Sequence, residues 1–176
     1  IAQTARLRWP GQPVFEEMYC WTKYINDWII RKVDGIGIGA VAGYAEFPWW
    51  FGNDSNYIVP ALLMQGEYEI CKATLRLIRD KSLETNGNGR VVHEISTNGV
   101  VFYEGMTTET PQFADTVWMI YQWSGDRLFL EEMYDFCEMG MEWIDSMCED
   151  GLPRGYGISE IADLDCFCCD TAVLAV

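Results

Sequence analysis

Apolar residues recur at helical spacing along most of the chain. In residues 126–148, Leu130, Met133, Cys137, Met141 and Ile144 follow steps of three and four, the spacing of one face of a helix. The same pattern predicts four more helices and the beginning of another. They cover residues 13–32, 56–65, 67–81 and 111–123, and the apolar stretch after residue 170. The chain is therefore predicted to be mainly α.

Strand patterns are sparse. Residues 90–96 and 100–103 are rich in β-branched and aromatic residues and are separated by Thr97-Asn98-Gly99. Asn-Gly is a preferred turn sequence, so this region predicts one small β-hairpin. At the helix predicted from residue 56, we expect Asp54 or Ser55 to act as the N-cap.

Short and long connections alternate along the predicted helices. Gly66 and the dipeptide Ser124-Gly125 join two pairs of helices tightly, whereas residues 34–54, 84–109 and 150–165 form long segments. Loops beyond ~12–15 residues are uncommon in compact domains unless they are functional. In antiparallel helical hairpins the long segments all emerge at one end, which is the expected active face.

Composition narrows the class of protein. The 176 residues are 49% hydrophobic and 14% aromatic, which is enough for a folded core. A formal net charge of −15 argues against nucleic-acid binding, and no apolar run approaches the ~20 residues of a membrane span. The chain begins without Met and ends inside an apolar pattern, so we expect a piece of a longer protein, truncated at both ends.

The cysteines favour a reducing environment. Of the seven, Cys20, Cys71 and Cys137 fall on apolar helical positions, where a free thiol acts as a small hydrophobe. The pattern Cys166-Phe167-Cys168-Cys169 lacks the spacing of a zinc site. We expect a cytoplasmic location, no metal and no cofactor.

The long segments combine carboxylates, aromatic residues, arginine and glycine. Aromatic faces cover the apolar side of a sugar ring, and carboxylates and arginine bond its hydroxyls, so this mixture suits a sugar pocket. The candidate substrate-binding residues are Trp49, Trp50, Asp54, Arg90, His93, Glu94, Glu109 and Tyr156. Structural roles stay open for them: the tryptophans as core residues, Asp54 as a cap, Glu109 as a partner of the helix dipole and His93 as a buried structural histidine.

Four stretches, in order, resemble one family. They are Phe47-Pro-Trp-Trp-Phe-Gly-Asn-Asp54, Gly89-Arg-Val-Val-His-Glu-Ile95, Glu109-Thr-Pro-Gln-Phe113 followed by Tyr121-Gln-Trp-Ser-Gly-Asp126, and Gly151-Leu-Pro-Arg-Gly-Tyr-Gly-Ile-Ser-Glu160. Together they resemble the amylo-α-1,6-glucosidases, glycogen-debranching-like members of the (α/α)6-barrel glycoside hydrolases, which include the glucoamylases. Departures from the family pattern occur at Val92, Gln112 and Arg154.

The resemblance implies a fold and a set of roles. The whole chain, residues 1–176, would be one partial catalytic domain, an incomplete (α/α)6 toroid. Glu160 would be the general acid of an inverting cleavage of α-glucosidic or related linkages, and Asp54 would bind sugar hydroxyls. Trp49 and Trp50 would wall that subsite, while Arg90, His93 and Glu109 would line the pocket.

In this family the general base lies downstream of the acid, in a region that this chain does not include. We therefore expect the chain alone to be inactive and to expose apolar surface where the remainder of its barrel packs. The partners implied are an oligosaccharide or glycoside and that remainder.

Two other functions are compatible with the same residues. A non-catalytic helical-hairpin scaffold that binds carbohydrate or protein would leave the long segments apart. A sugar lyase or isomerase on the same fold would show a Tyr–His pair rather than two opposed acids.

Overall fold

Helices dominate the protein, as the sequence predicts. The computed structural model describes residues 5–157 and 166–175. In those residues six helices are present: α1 Pro13–Ile29, α2 Gly52–Gln65, α3 Tyr68–Thr85, α4 Glu109–Ser124, α5 Arg127–Ser146 and α6 Cys169–Leu174. None of the helices in this part of the chain is long and apolar enough to cross a membrane.

Two tight turns form helical hairpins. Gly66 ends α2 with φ 83° and Gly125 ends α4 with φ 69°, the left-handed conformation that closes many helices. The α2–α3 and α4–α5 pairs are therefore antiparallel hairpins. The start of α2, the end of α3, the start of α4 and the end of α5 lie at the same end of these hairpins, where the long connections also lie.

Eight short strands form three small antiparallel sheets within the described residues. The strands are β1 Ile30–Val33, β2 Gly37–Ala40, β3 Trp50–Phe51, β4 Glu94–Ile95, β5 Val101–Tyr103, β6 Cys148–Glu149, β7 Leu152–Gly155 and β8 Cys166–Phe167. The sheets have the orders β1-β2, β3-β4-β5 and β6-β7-β8. The predicted hairpin corresponds to β4 and β5 and is confirmed; the other two sheets were not predicted.

Two predicted helix boundaries are wrong. The helix predicted to continue to residue 32 ends at Ile29, because the chain then enters the β1–β2 hairpin. The helix predicted from residue 56 begins at Gly52, so Asp54 lies in its first turn and neither Asp54 nor Ser55 is the N-cap. The N-cap is Phe51, which makes no side-chain cap, and the Gly52 N–H donates instead to the His93 carbonyl at 2.8 Å.

The core lies between the two hairpins and the β1–β2 sheet. Its fully buried members include Leu62, Leu75, Ile78 and Ile120 from three different helices. Hydrophobic burial of this kind is the main stabilising term of a fold. All seven cysteines are free, and burial raises the pKa of the Cys71 thiol to about 12. The thiols of Cys71 and Cys137 therefore stay protonated and act as apolar side chains, as predicted, whereas Cys20, for which the same was predicted, is exposed.

An ion-pair cluster joins α3 to α5. Nε of Arg76 donates to both carboxylate oxygens of Glu132 and Nη2 donates to Oε2, while Nη1 of Arg79 donates to Oε1 at 2.9 Å. Hydrogen bonds from Arg76 and then from Arg79, opposed by partial burial, lower the pKa of Glu132 from 4.5 to about 2. The carboxylate is thus more acidic in the folded than in the unfolded chain.

We expect Glu132→Gln to lower stability at neutral pH by about 1 kcal/mol, since a half-exposed ion pair is screened by water. A lowered pKa in the folded state gives stability that is complete above pH 4.5 and lost as the pH falls towards about 2. The difference between wild type and variant in urea denaturation should therefore vanish across that interval. If the stability difference between wild type and Glu132→Gln stayed constant from pH 6 to pH 2, the lowered pKa of Glu132 would be contradicted.

Candidate functional site

A short extended segment, residues 90–93, lies where the four helix ends meet. The Val92 N–H donates to Ser82 at the end of α3 at 3.0 Å, and the Val91 N–H donates to Thr110 in the first turn of α4 at 3.1 Å. The His93 carbonyl accepts from Gly52 at the start of α2, as described above. The segment is thus fixed by three helices, and its side chains are held in place by them.

His93 and Glu109 form a buried pair at this point. Nδ1 of His93 contacts Oε1 of Glu109, and the Met106 N–H donates to Oε2 of the same carboxylate. Glu109 is fully buried and His93 is 2% exposed. An ionised carboxylate only accepts hydrogen bonds, so the contact places a proton on Nδ1 and fixes the orientation of the ring. Glu109 is also the first residue of α4, where the helix dipole favours a negative charge.

Arg90 links this pair to a neighbouring turn. Its Nε donates to the Gly105 carbonyl at 3.1 Å, and its Nη1 lies 3.2 Å from the exposed Glu104 carboxylate. The guanidinium carbon lies 5.6 Å from the ring centre of Trp143 near the end of α5, within cation–π range. Arg90 therefore connects the segment that carries His93 to the last turns of α5.

A cleft of about 350 Å³ opens beside Arg90. Its walls include Arg90, Thr107, Trp143 and Tyr156, so two predicted substrate-binding residues share one cavity. The Gly157 N–H donates to the Thr107 hydroxyl at 3.1 Å. This bond joins the residues that follow β7 to the residues that precede α4, on one side of the cleft. The volume is at the lower end of the range for small-molecule sites.

Four aromatic rings form a patch beside His93; Phe47 and Phe102 are exposed, Trp49 is partly exposed and Phe51 is buried. The aromatic patch comprises Phe47, Trp49, Phe51 and Phe102. Trp49 and Phe102 stack with ring centres 5.3 Å apart and planes 10° apart, and Phe102 remains 62% exposed. Phe51 lies edge-on to His93 with ring centres 5.3 Å apart, so the patch is continuous with the buried pair.

No family model, curated protein or solved structure matches this chain. The assignment of the site therefore depends on its own geometry. That geometry brings Arg90, His93 and Glu109 into one connected group, with Tyr156 beside Arg90 and Trp49 beside Phe51. Glu94 pairs with both Phe51 and Tyr103 in the β3-β4-β5 sheet and is partly exposed.

Two predicted residues lie deeper than expected. Trp50 is fully buried in the core, with its indole packed near Gly39 of β2, so it does not wall an open subsite. Glu109 lies beneath the surface, and both of its oxygens have partners, so it positions His93 and the 105–106 turn rather than touching a ligand. Asp54 is half-buried in the first turn of α2. Glu160, the predicted general acid, lies outside the described residues.

Several residues of the site were not predicted, among them Phe102, Trp143 and Met106. Phe102 faces solvent in β5 because alternate residues of a strand face opposite sides, a signal that the 100–103 pattern already contained. Trp143 belongs to a predicted helix but was given no role in the site. It lies within the last four residues of α5, at the end of the helices where the long connections lie. Met106 contributes only its backbone N–H, and no side-chain pattern could have identified it.

Proposed function

We propose that this chain carries the sugar-binding half of a glycoside hydrolase of the (α/α)6 class, acting on α-glucosidic or related linkages. The observation that carries the proposal is that three separate stretches resembling that family meet through direct contacts. Residues 47–54, 89–95 and 109–113 are joined by the Gly52–His93, His93–Glu109 and Val91–Thr110 contacts. Residues 16 to 41 positions apart along the chain thus contact one another, and the three stretches form one unit.

The surface of this unit suits a carbohydrate. The exposed faces of Phe102 and Phe47 offer apolar area for the C–H side of a pyranose, and Glu94, which pairs with Phe51 in the β3-β4-β5 sheet, supplies a polar group. The fourth stretch begins at the same end, because Tyr156 shares the cleft with Arg90. In this proposal Glu160, at the end of that stretch, is the general acid.

The hairpins agree with a toroid. Two antiparallel helical hairpins with glycine turns at one end and all long connections at the other are the repeating unit of such a barrel. In the proposed fold α2–α5 are four of its helices, and further helices complete the ring.

Two variants of the full-length protein test this function. Glu160→Gln should abolish release of reducing sugar from maltooligosaccharides and isomaltose while it leaves sugar binding intact, because only the proton donor is lost. Glu131→Gln, which changes an exposed acid on α5, is the control and should keep full activity. Normal turnover by the Glu160→Gln variant would remove that residue from the acid role.

The aromatic patch gives a second measurement. Phe102→Ala should weaken oligosaccharide binding roughly fivefold in calorimetry, since one stacking contact is worth about 1 kcal/mol. Trp118→Ala removes a ring that is 47% exposed on α4, outside the aromatic patch, and should leave affinity unchanged. If the Phe102→Ala and Trp118→Ala variants bound the oligosaccharide with equal affinity, the aromatic patch would have no role in sugar binding.

One observation favours a second candidate, a sugar lyase. The ring of Tyr103 lies edge-on to His93 with centres 5.4 Å apart, which is the Tyr–His pair expected of a sugar lyase. The product separates the two reactions: a lyase leaves a carbon–carbon double bond that absorbs ultraviolet light, and a hydrolase does not.

A further inference from the structure

The orientation of α1 is unusual for an amphipathic helix. Its polar side faces the rest of the chain: Lys23 donates to the Ala5 carbonyl at 2.8 Å, and Glu16 accepts from the Trp9 N–H at 2.7 Å. Lys23 is the one buried residue of this helix among the described residues. A surface helix normally buries its apolar stripe and exposes its polar side. We therefore expect the exposed apolar stripe on α1 to pack against a partner.

The exposed stripe has the spacing of a coiled-coil seam. The α1 seam consists of Val14, Met18, Trp21, Ile25 and Trp28, which follow one another at intervals of four, three, four and three residues. A 3.5-residue apolar repeat is the pattern that packs against another helix at a shallow angle, rather than against a sheet or a small ligand. The surface therefore fits a helix as its partner.

The area of the seam is sufficient for a stable dimer. The five seam residues and the flanking Phe15 and Tyr24 are each 42–70% exposed. An aromatic side chain offers ~150–250 Å², so these seven residues present on the order of 800 Å². That equals the area that each partner buries in a standard-size interface. It also exceeds the largest apolar patch of a typical monomer, which is ~300–600 Å².

We propose that the α1 seam is a self-association surface, on which α1 of a second copy of this chain packs in antiparallel orientation. With the two-fold axis near Lys23, Met18 faces Trp28 of the second copy and Trp21 faces Ile25 of the second copy. Each of the four layers formed by Met18, Trp21, Ile25 and Trp28 then combines one indole with one aliphatic side chain. A parallel pair in register would place indole against indole in two layers.

Charge favours the same orientation. The first turns of α1 carry Glu16 and Glu17, and Arg31 and Lys32 of β1 follow its last residue, Ile29, after Ile30; Asp27 is the one charged residue in its last turn. Antiparallel packing brings the acidic end of each helix towards the basic end of the other. Parallel packing would bring like charges together at both ends.

The test is the mass of the chain in solution by sedimentation equilibrium at an ionic strength near 0.15 M, where screening limits repulsion between two acidic chains. We expect a dimer at micromolar concentration. Trp28→Glu should raise the dissociation constant at least a hundredfold without unfolding, because Trp28 is 70% exposed. Leu128→Glu, at an equally exposed apolar position on α5, is the control and should leave the dimer intact.

A mixing experiment tests the orientation. Alone, the Met18→Lys variant and the Trp28→Glu variant should each be monomeric. In an antiparallel dimer of one copy of each, the new lysine faces the new glutamate, and Trp28 of the first copy faces Met18 of the second, as in wild type. The mixture should therefore recover dimers, which parallel packing cannot achieve. A wild-type monomer at 100 µM, a dimer insensitive to Trp28→Glu, or a mixture that stays monomeric would each overturn the proposal. So would a longer form of the protein that remains monomeric because its own helices cover the seam.

Discussion

Replacing Glu109 by alanine should destabilise the protein by about 3–5 kcal/mol. The substitution leaves His93 and the Met106 N–H without an acceptor in a fully buried position, and each such loss costs ~1–3 kcal/mol. It also removes buried methylene groups from the first turn of α4. Urea denaturation at neutral pH measures the difference directly.

The isosteric variant separates the contributions. Glu109→Gln keeps the volume and one acceptor oxygen, so it should cost only about 1–2 kcal/mol, with the His93 ring adopting the other tautomer to accept from the new amide. Glu138→Ala, at an exposed position on α5, is the matched control and should stay within ~0.5 kcal/mol of wild type. If Glu109→Ala were as mild as that control, the pair would have no structural role.

The helices could be predicted because their apolar periodicity is local. The boundaries of α3, α4 and α5 fall within four residues of the prediction, because apolar residues recur every three or four positions along the face of each helix that packs against the core. The start of α2 could not be located in the same way. Gly52 begins that helix because its N–H reaches the His93 carbonyl, a partner 41 residues away along the chain.

The β1–β2 hairpin was missed although its signal is local. Asp34-Gly35 is a preferred hairpin turn, and Gly35 has φ 77° as such turns require. The helical pattern before it extended the prediction across Arg31 and Lys32 instead. Because β2 was not predicted, the burial of Trp50 could not be predicted either, since its indole packs near Gly39 of that strand.

The site residues could be predicted as a set but not in their roles. The resemblance selected Arg90, His93 and Glu109, and the structure brings them together. It could not show that Glu109 is beneath His93 rather than beside it, because depth depends on where the start of α4 packs against residues 90–93. Sequence spacing gives proximity along one element, whereas burial is set by several elements at once.

Gly105→Ala should be the most damaging small substitution in the site, with a loss of at least about 3 kcal/mol. Gly105 has φ 116°, and a Cβ built on it would lie 1.8 Å from the Val91 carbonyl oxygen. The positive φ alone costs ~1 kcal/mol for alanine, and the clash is with backbone, which cannot rotate away. Urea denaturation compared with wild type measures the loss.

Gly125→Ala is the control that separates the two costs. Gly125 also has a positive φ, 69°, but a Cβ there would meet no atom within 4 Å, so its replacement should cost only about 1 kcal/mol. Equal losses for the two variants would contradict the close approach of Gly105 to Val91. The difference matters beyond stability, because Gly105 and Met106 supply the carbonyl that holds Arg90 and the N–H that holds Glu109. Pushing this turn away from Val91 should therefore also move Arg90 in the cleft and weaken any ligand bound there.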